Sequence, residues 1–217
     1  GASPIGKEWN EQADAFKAQV IGKTLAEVKA LVAEGDKPVQ SVIDAGCTIK
    51  IAEFVGAIEK AFANAVDSNV TANDTIKIGA VTKQTVADAT EDKAGNNQVD
   101  TTIVAVAMNA EGKVVATSSD CLQVKFGFDL TGKSTFDTTD AKLLRTKKEK
   151  GADYNMKPAS PIGKEWNEQA AAFDTVCTGK TIAEITALVV DGKGNDEVVN
   201  AGCTMKLGDW IEVYAKF

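Results

Sequence analysis

The chain has 217 residues, a formal net charge of −7 and no histidine. Without clustered basic charge it offers no footing for a nucleic-acid backbone, and without imidazole it excludes Ser-His-Asp catalysis and His-ligated zinc or haem. With 44% hydrophobic and 25% charged residues it can bury a core, yet it has no apolar run long enough to span a membrane.

The first segment is predicted to be helical. Ser3-Pro4 reads as an N-cap followed by proline at the first helical position, and Ile5, Trp9, Phe16 and Val20 then recur at roughly helical spacing. Thr24-Leu25-Ala26-Glu27 is a capping-box pattern opening a second helix that buries Leu25, Val28, Leu31 and Val32 and stops near Gly35. A third helix is expected from Gly46-Cys47-Thr48, its apolar face formed by Ile51, Phe54, Val55, Ile58 and Phe62.

From residue 70 the pattern changes to period two in Val, Thr and Ile. Strands are expected at Thr75–Val81, Thr101–Asn109, Lys113–Asp120 and Leu122–Asp129, with Asn109-Ala110-Glu111-Gly112-Lys113 as a hairpin turn. Residues 89–98 read as a polar loop, and the charged stretch 137–157 as a connection. Within it, Arg145-Thr146-Lys147-Lys148 reads as a solvated face.

The last segment repeats the first. Ser3-Pro4-Ile5-Gly6-Lys7-Glu8-Trp9-Asn10-Glu11-Gln12-Ala13 returns as Ser160-Pro161-Ile162-Gly163-Lys164-Glu165-Trp166-Asn167-Glu168-Gln169-Ala170. Gly22-Lys23-Thr24 returns as Gly179-Lys180-Thr181, and Ala45-Gly46-Cys47-Thr48 as Ala201-Gly202-Cys203-Thr204, with one residue lost before the last block. The fold class is therefore α+β: a small antiparallel sheet flanked by three-helix units, the helical unit duplicated. Residues 1–66 are expected to be the helical half of a first domain whose strands lie upstream, and 67–217 a complete second domain, with strands at 70–136 and helices at 158–217. A single domain sharing one sheet between two helical flanks is the alternative. Gly1-Ala2-Ser3 reads as a cloning remnant, with any export signal or anchor upstream.

Cys47, Cys121, Cys177 and Cys203 form no CxxC pair and no metal-ligand spacing, so free, mostly buried thiols and no metal site are expected. The repeated Gly-Cys-Thr is the feature with chemical reach. Gly46 and Gly202 let backbone approach a ligand. Cys47-Thr48 and Cys203-Thr204 are expected to bring amides and a hydroxyl to a first helical turn, where a phosphate is favoured. Taken alone, Thr48 and Thr204 read as plain N-caps.

The stretch Asp44-Ala45-Gly46-Cys47-Thr48-Ile49, followed by an amphipathic helix, resembles the attachment motif of the FMN-binding domain family. The Ser-Pro-Ile-Gly-Lys-Glu-Trp block, Tyr154-Asn155-Met156-Lys157 and the Gly-Lys-Thr helix start are similar to extracytoplasmic flavoproteins of Gram-positive surface electron transfer. The resemblance implies FMN joined by a flavin transferase through a phosphoester to Thr48 and Thr204, two covalent sites in all. It implies an electron carrier rather than an enzyme, lipid-anchored on the outer face of the membrane. Electrons would come from a membrane quinone-linked dehydrogenase system and pass to extracellular acceptors such as ferric iron. Trp9 and Trp166 fit either a stack on the flavin or core anchors of the first helix, Lys7 and Lys164 either a partner of its phosphate or ring edge or solvated side chains, and Asp120, Gln123 and Lys125 either partners of its polar groups or, more simply, polar residues on the surface of the sheet. The contrasting expectation is a surface binding or adhesion module with no redox role.

Overall fold

The computed structural model describes residues 3–66, 68–135 and 144–217. The chain divides into two compact units, Gly1–Asp67 and Ser68–Phe217.

Unit 1 is helical: α1 (Trp9–Val20), α2 (Leu25–Lys29), α3 (Gln40–Asp44) and α4 (Ala52–Ala63). Ser3-Pro4 does not open α1. Ser, Pro and Gly stand where a tight turn wants them; Gly6 N–H donates to the Ser3 carbonyl and Gly6 takes φ +67°. The helix begins instead at Trp9, where the Glu8 N–H donates to Glu11 Oε2 at 2.8 Å. The Thr24 box forms as expected: its N–H donates to Glu27 Oε2 at 2.8 Å, and Glu27 N–H donates back to Thr24 Oγ1. The core of the unit is Phe16, Val28, Leu31, Val42, Cys47, Ile51 and Val55.

Unit 2 places the sheet β1 (Thr75–Ala87), β2 (Gly95–Met108) and β3 (Val114–Phe128), antiparallel in that order, ahead of its helices. The four expected strands are three longer ones. Lys113–Asp120 and Leu122–Asp129 are parts of one strand, since Asp120 does not end it: its carboxylate accepts from Lys148 N–H at 3.1 Å. Part of the expected polar loop is also ladder. Asn96, Asn97 and Gln98 pair with Ala87 to Thr85 on one side and Gly127 to Lys125 on the other, and uniformly polar side chains hide that alternation. The hairpin at 109–113 is as expected, with Asn109 Oδ1 accepting from Glu111 and Lys113 N–H and Gly112 at φ +76°. Residues 136–143, which include the end of the expected strand region and the start of the charged connection, lie outside the described residues.

After α5 (Lys147–Lys150) come α6 (Trp166–Cys177), α7 (Ile182–Ala187), the short hairpin β4 (Val189–Val190) and β5 (Lys193–Gly194), α8 (Asp196–Ala201) and α9 (Gly208–Tyr214). This helical plan shares key bonds with unit 1. Cys47 N–H donates to Val42 O as Cys203 N–H does to Val198 O, both at 3.1 Å; Val39 N–H reaches Leu31 O as Asn195 N–H reaches Leu188 O. One face of the sheet (Val81, Val104, Val106, Val114 and Cys121) packs on Trp166, Phe173, Trp210, Val213 and Tyr214 in one core. Gly79 belongs here for a steric reason: a Cβ on it would run into Val213 and Phe217. No described helix is long and apolar enough to cross a membrane, and no described group of side chains could hold a metal ion.

Candidate functional site

Gly-Cys-Thr does not start a helix in either unit, which corrects the sequence reading. Gly202 follows the last turn of α8 with φ +102°, and the Cys203 N–H closes on Val198 O. Gly46, at φ +100°, ends α3 the same way. Both are helix terminators in the left-handed region that glycine alone enters cheaply. Thr48 and Thr204 therefore stand on the linkers between helices; α4 opens only at Ala52 and α9 at Gly208. Helix-end amides are not what those threonines offer.

What they offer is a hydroxyl held by a buried glutamine. In unit 2 both the N–H and Oγ1 of Thr204 donate to Gln169 Oε1, at 2.9 and 3.1 Å. Gln169, 1% exposed, is fixed in turn because its Nε2 donates to Ser160 Oγ at 3.0 Å and Lys164 O at 3.3 Å. Unit 1 repeats this: Thr48 donates twice to Gln12 Oε1 at 2.9 Å, and Gln12 Nε2 donates to Ser3 Oγ and Lys7 O at 3.1 Å. Ser3 and Ser160, read as helix caps, serve here as the anchors of these amides. Both threonines are half-buried, each with its hydroxyl fixed by a glutamine. Gln12 and Gln169 escaped the sequence reading, although both lie inside the repeated Trp-Asn-Glu-Gln block.

Lys7 and Lys164 do come to the motif. The ammonium of Lys164 occupies the space a Cβ on Gly202 would fill, and Lys7 does the same at Gly46. A positive charge thus lies against the glycine two residues before each threonine. Cys47 and Cys203 point inward and are fully buried, as are Cys121 and Cys177, and all four are free thiols. Burial pushes all four thiols up, Cys177 to about 12, so none is a ready nucleophile.

The tryptophans part company. Trp166 is 3% exposed and stacks at 5.7 Å, tilted 35°, on Trp210. Trp9 is 61% exposed and meets Phe54, the counterpart of Trp210, at 5.9 Å. Beside Trp166 lies a cavity of about 370 Å³, within the rough 300–1,000 Å³ span of small-molecule sites. The sheet lines it with Gln98, Asp100 and Gln123, the helical side with Lys147, Trp166 and Trp210, and the residues directly after Thr204, Met205 and Lys206, complete it. Among the described residues the buried Trp210 indole N–H meets no acceptor, a deficit a ligand's oxygen or nitrogen would make good. Of the three polar residues expected on β3, Gln123 lines the cavity, while Asp120 binds Lys148 N–H and Lys125 is not in the lining.

The basic stretch 145–148 is not a solvated face. Arg145 pairs with Asp153 at 2.9 Å, Lys148 approaches Asp174 at 3.7 Å, and Lys147 is 9% exposed in the cavity wall. Its ammonium lies over the rings of Tyr154 and Trp166, at 5.1 and 5.5 Å. The cause is non-local: α5 is folded between sheet and helices, and no charge count along the chain reveals that.

No family model matches the chain, and no solved structure matches it. Over 107 residues it is 29% identical to a chlorophenol reductase of Desulfitobacterium hafniense, a stretch that is 45% of this chain and 33% of that protein. The chain thus spans about a third of the length of the curated relative it matches.

Proposed function

We propose that the chain is a flavin carrier: an extracytoplasmic electron-transfer protein with FMN attached by phosphoester to Thr204 and, in the related unit, to Thr48. The observation that carries this reading is the conjunction at Thr204 of a glutamine-held hydroxyl, a lysine ammonium at Gly202 and a cavity opening at Met205. Thr204 Oγ1 would attack the phosphorus of an activated flavin phosphate held by the transferase, forming the ester as the donor's phosphoanhydride bond breaks, the other phosphate half leaves and the hydroxyl proton is lost. That costs one of its two bonds to Gln169, while the backbone N–H keeps the other. Lys164 would sit beside the phosphate as counter-charge. Trp166, Trp210 and Met205 would hold a flat ring, with the Trp210 N–H donating to one of its acceptors. The bound flavin would supply the electron chemistry, and the protein attachment and electrostatics.

Residues 1–66 fit the same scheme as the helical half of a first domain whose strands precede it, a reading supported by the exposure of Trp9 on the face that α6 and α9 turn to the sheet. An anchor on the outer membrane face, electron supply from a quinone-linked dehydrogenase system and delivery to acceptors such as ferric iron belong to the same proposal, with a flavin transferase as the attaching partner. The partial relative is named as a reductase, but a shared third of its length does not carry its activity over.

The test is direct. Co-expressed with a flavin transferase, the protein should be yellow and gain the mass of one FMN per filled site. Thr204→Ala should remove one equivalent. Colourless protein of unmodified mass would end this reading in favour of a non-redox surface module.

A further inference from the structure

We propose that Lys147 sets the redox poise of the group held at Thr204, by keeping a positive charge in the cavity wall that favours the reduced over the oxidised flavin. This rests on the flavin reading above. Reduction of a flavin by two electrons with uptake of one proton leaves the ring one unit more negative. In a partly dry cavity that added charge is costly unless a cation is already in place.

Lys147 is such a cation. It opens α5 from the capped Thr146, whose Oγ1 accepts from Glu149 N–H at 3.2 Å, so its backbone is fixed. Its side chain is 11% exposed and reaches the cavity over Tyr154 and Trp166. Asp100 is the nearest acid, but its Oδ1 is 3.8 Å from Nζ, beyond hydrogen-bond length. Two glutamines already satisfy that carboxylate: Gln123 donates to Oδ1 at 2.7 Å and Gln98 to Oδ2 at 2.5 Å. The acid is thus engaged from the sheet and stands 3.8 Å off, while the ammonium, held against Tyr154 and over Trp166, forms part of the cavity wall. The other charged groups in the lining, Lys206 and Asp209, are neighbours on the α9 side and oppose each other in sign. Lys147 therefore supplies the buried positive end of the cavity. Burial disfavours its ammonium, but Cys121, Tyr154 and Asp100 around it outweigh that and hold its pKa above the ordinary lysine value, so the charge persists at neutral pH. Among the described residues of unit 1 no counterpart of Lys147 is present.

The experiment uses the 217-residue chain co-expressed with a flavin transferase, as wild type, Lys147→Gln, Lys147→Met and Lys147→Arg, each also carrying Thr48→Ala so that only Thr204 is filled. Intact mass and a thermal melt establish attachment and folding. The midpoint potential is then read by dithionite titration against reference dyes. Lys147→Gln and Lys147→Met should each weaken the preference for the reduced form about tenfold, ~30 mV lower for a two-electron couple, and Lys147→Arg should stay near wild type. Attached flavin with an unchanged potential in both uncharged variants would overturn the role of Lys147 while leaving the carrier reading intact. Wild-type protein without attached flavin would overturn the carrier reading and this proposal together. Should Lys147→Gln fail to fold, Lys147→Met, which keeps the stem over Tyr154 and Trp166, carries the same comparison.

Discussion

The two helical units share a hydrogen-bonding plan but live in different surroundings. In unit 2, Trp166, Phe173, Trp210, Val213 and Tyr214 are buried on a sheet. In unit 1 their counterparts Trp9, Phe16, Phe54, Ala57 and Ile58 line an apolar groove of about 530 Å³. One side chain changes sign between them. Asp174 of α6 accepts from the N–H and hydroxyl of Ser119 on β3, at 3.0 and 2.7 Å; at its place in α1 stands the exposed Lys17. The comparison separates what the repeat needs to fold from what it needs to make a site. The turns, caps and glutamine-held threonine persist without a sheet. The cavity beside Trp166 is walled partly by β2 and β3, whereas the groove of unit 1 is walled by α1 and α4 alone.

The strongest way to break this comparison is to cut the paired tryptophans. Trp166→Ala should destabilise unit 2 by about 3–5 kcal/mol, the usual cost of emptying a packed aromatic site. Trp9→Ala should cost unit 1 under ~1 kcal/mol, since most of that ring already meets water. Denaturant melts followed by near-UV dichroism and by resolved amide signals of each unit would report the two separately. Equal losses would mean that Trp9 is as firmly packed as Trp166.

Next in size is a pH effect confined to unit 2. Burial raises the Asp174 carboxyl from 3.8 to about 6, against the lowering effect of Ser119 and Lys148. Between those two values the folded state binds more protons than the unfolded chain. The stabilising effect of protonating Asp174 is thus complete below about pH 4 and lost as pH rises through 6, a change of up to about 3 kcal/mol. Asp174→Asn, which can still accept from Ser119 N–H, should flatten the dependence. Melts in a Trp9→Phe background, where only Trp166 and Trp210 emit, measure it. A stability that climbs from pH 4 to 6 in both proteins would refute the sign.

A smaller effect should be common to both units. Gly46→Ala and Gly202→Ala force an L-residue to φ near +100° and push a lysine ammonium aside, costing about 1–2 kcal/mol from the backbone alone. Because Lys7 and Lys164 share this arrangement, matched losses are expected, together with reduced flavin attachment at Thr204 in Gly202→Ala. Chemical melts and intact mass check the two halves of that statement.

These contrasts also mark how far the chain's pattern could be read. The duplication, the Thr24 box and the Asn109–Lys113 turn were all legible, because each is a local arrangement with a local cause. Gly-Cys-Thr was legible as a motif but not as a helix end. A glycine before a small polar residue serves either end, and what decides is the Cys203 N–H reaching back to Val198 O. Gln169 was hidden in plain sight, since a glutamine on a helix face shows nothing of its burial. Lys147 and Trp210 come to line one cavity only through contacts between segments far apart in sequence.

The smallest contrast concerns the caps themselves. Thr24 and Thr181 form the same box, with threonine N–H to glutamate Oε2 at 2.8 and 2.7 Å. Each Thr→Ala change should therefore cost about 1 kcal/mol. Their surroundings still differ. Just ahead of α7, Gly179 N–H donates to Val114 O at 2.7 Å and Val114 N–H donates to Lys180 O at 2.8 Å, tying the helix start to the edge of β3. Ahead of α2 the backbone makes local bonds, Ile21 N–H to Lys17 O and Lys23 N–H to Val20 O. Losing the cap should thus fray α2 well before α7, since the first turn of α7 is also held by the sheet. Amide hydrogen exchange at Val28 and Ile185 gives the readout: faster exchange at Val28 in Thr24→Ala, with little change at Ile185 in Thr181→Ala. Equal acceleration at both would mean that the sheet lends the second helical unit no local rigidity, and that its difference from the first lies in burial alone.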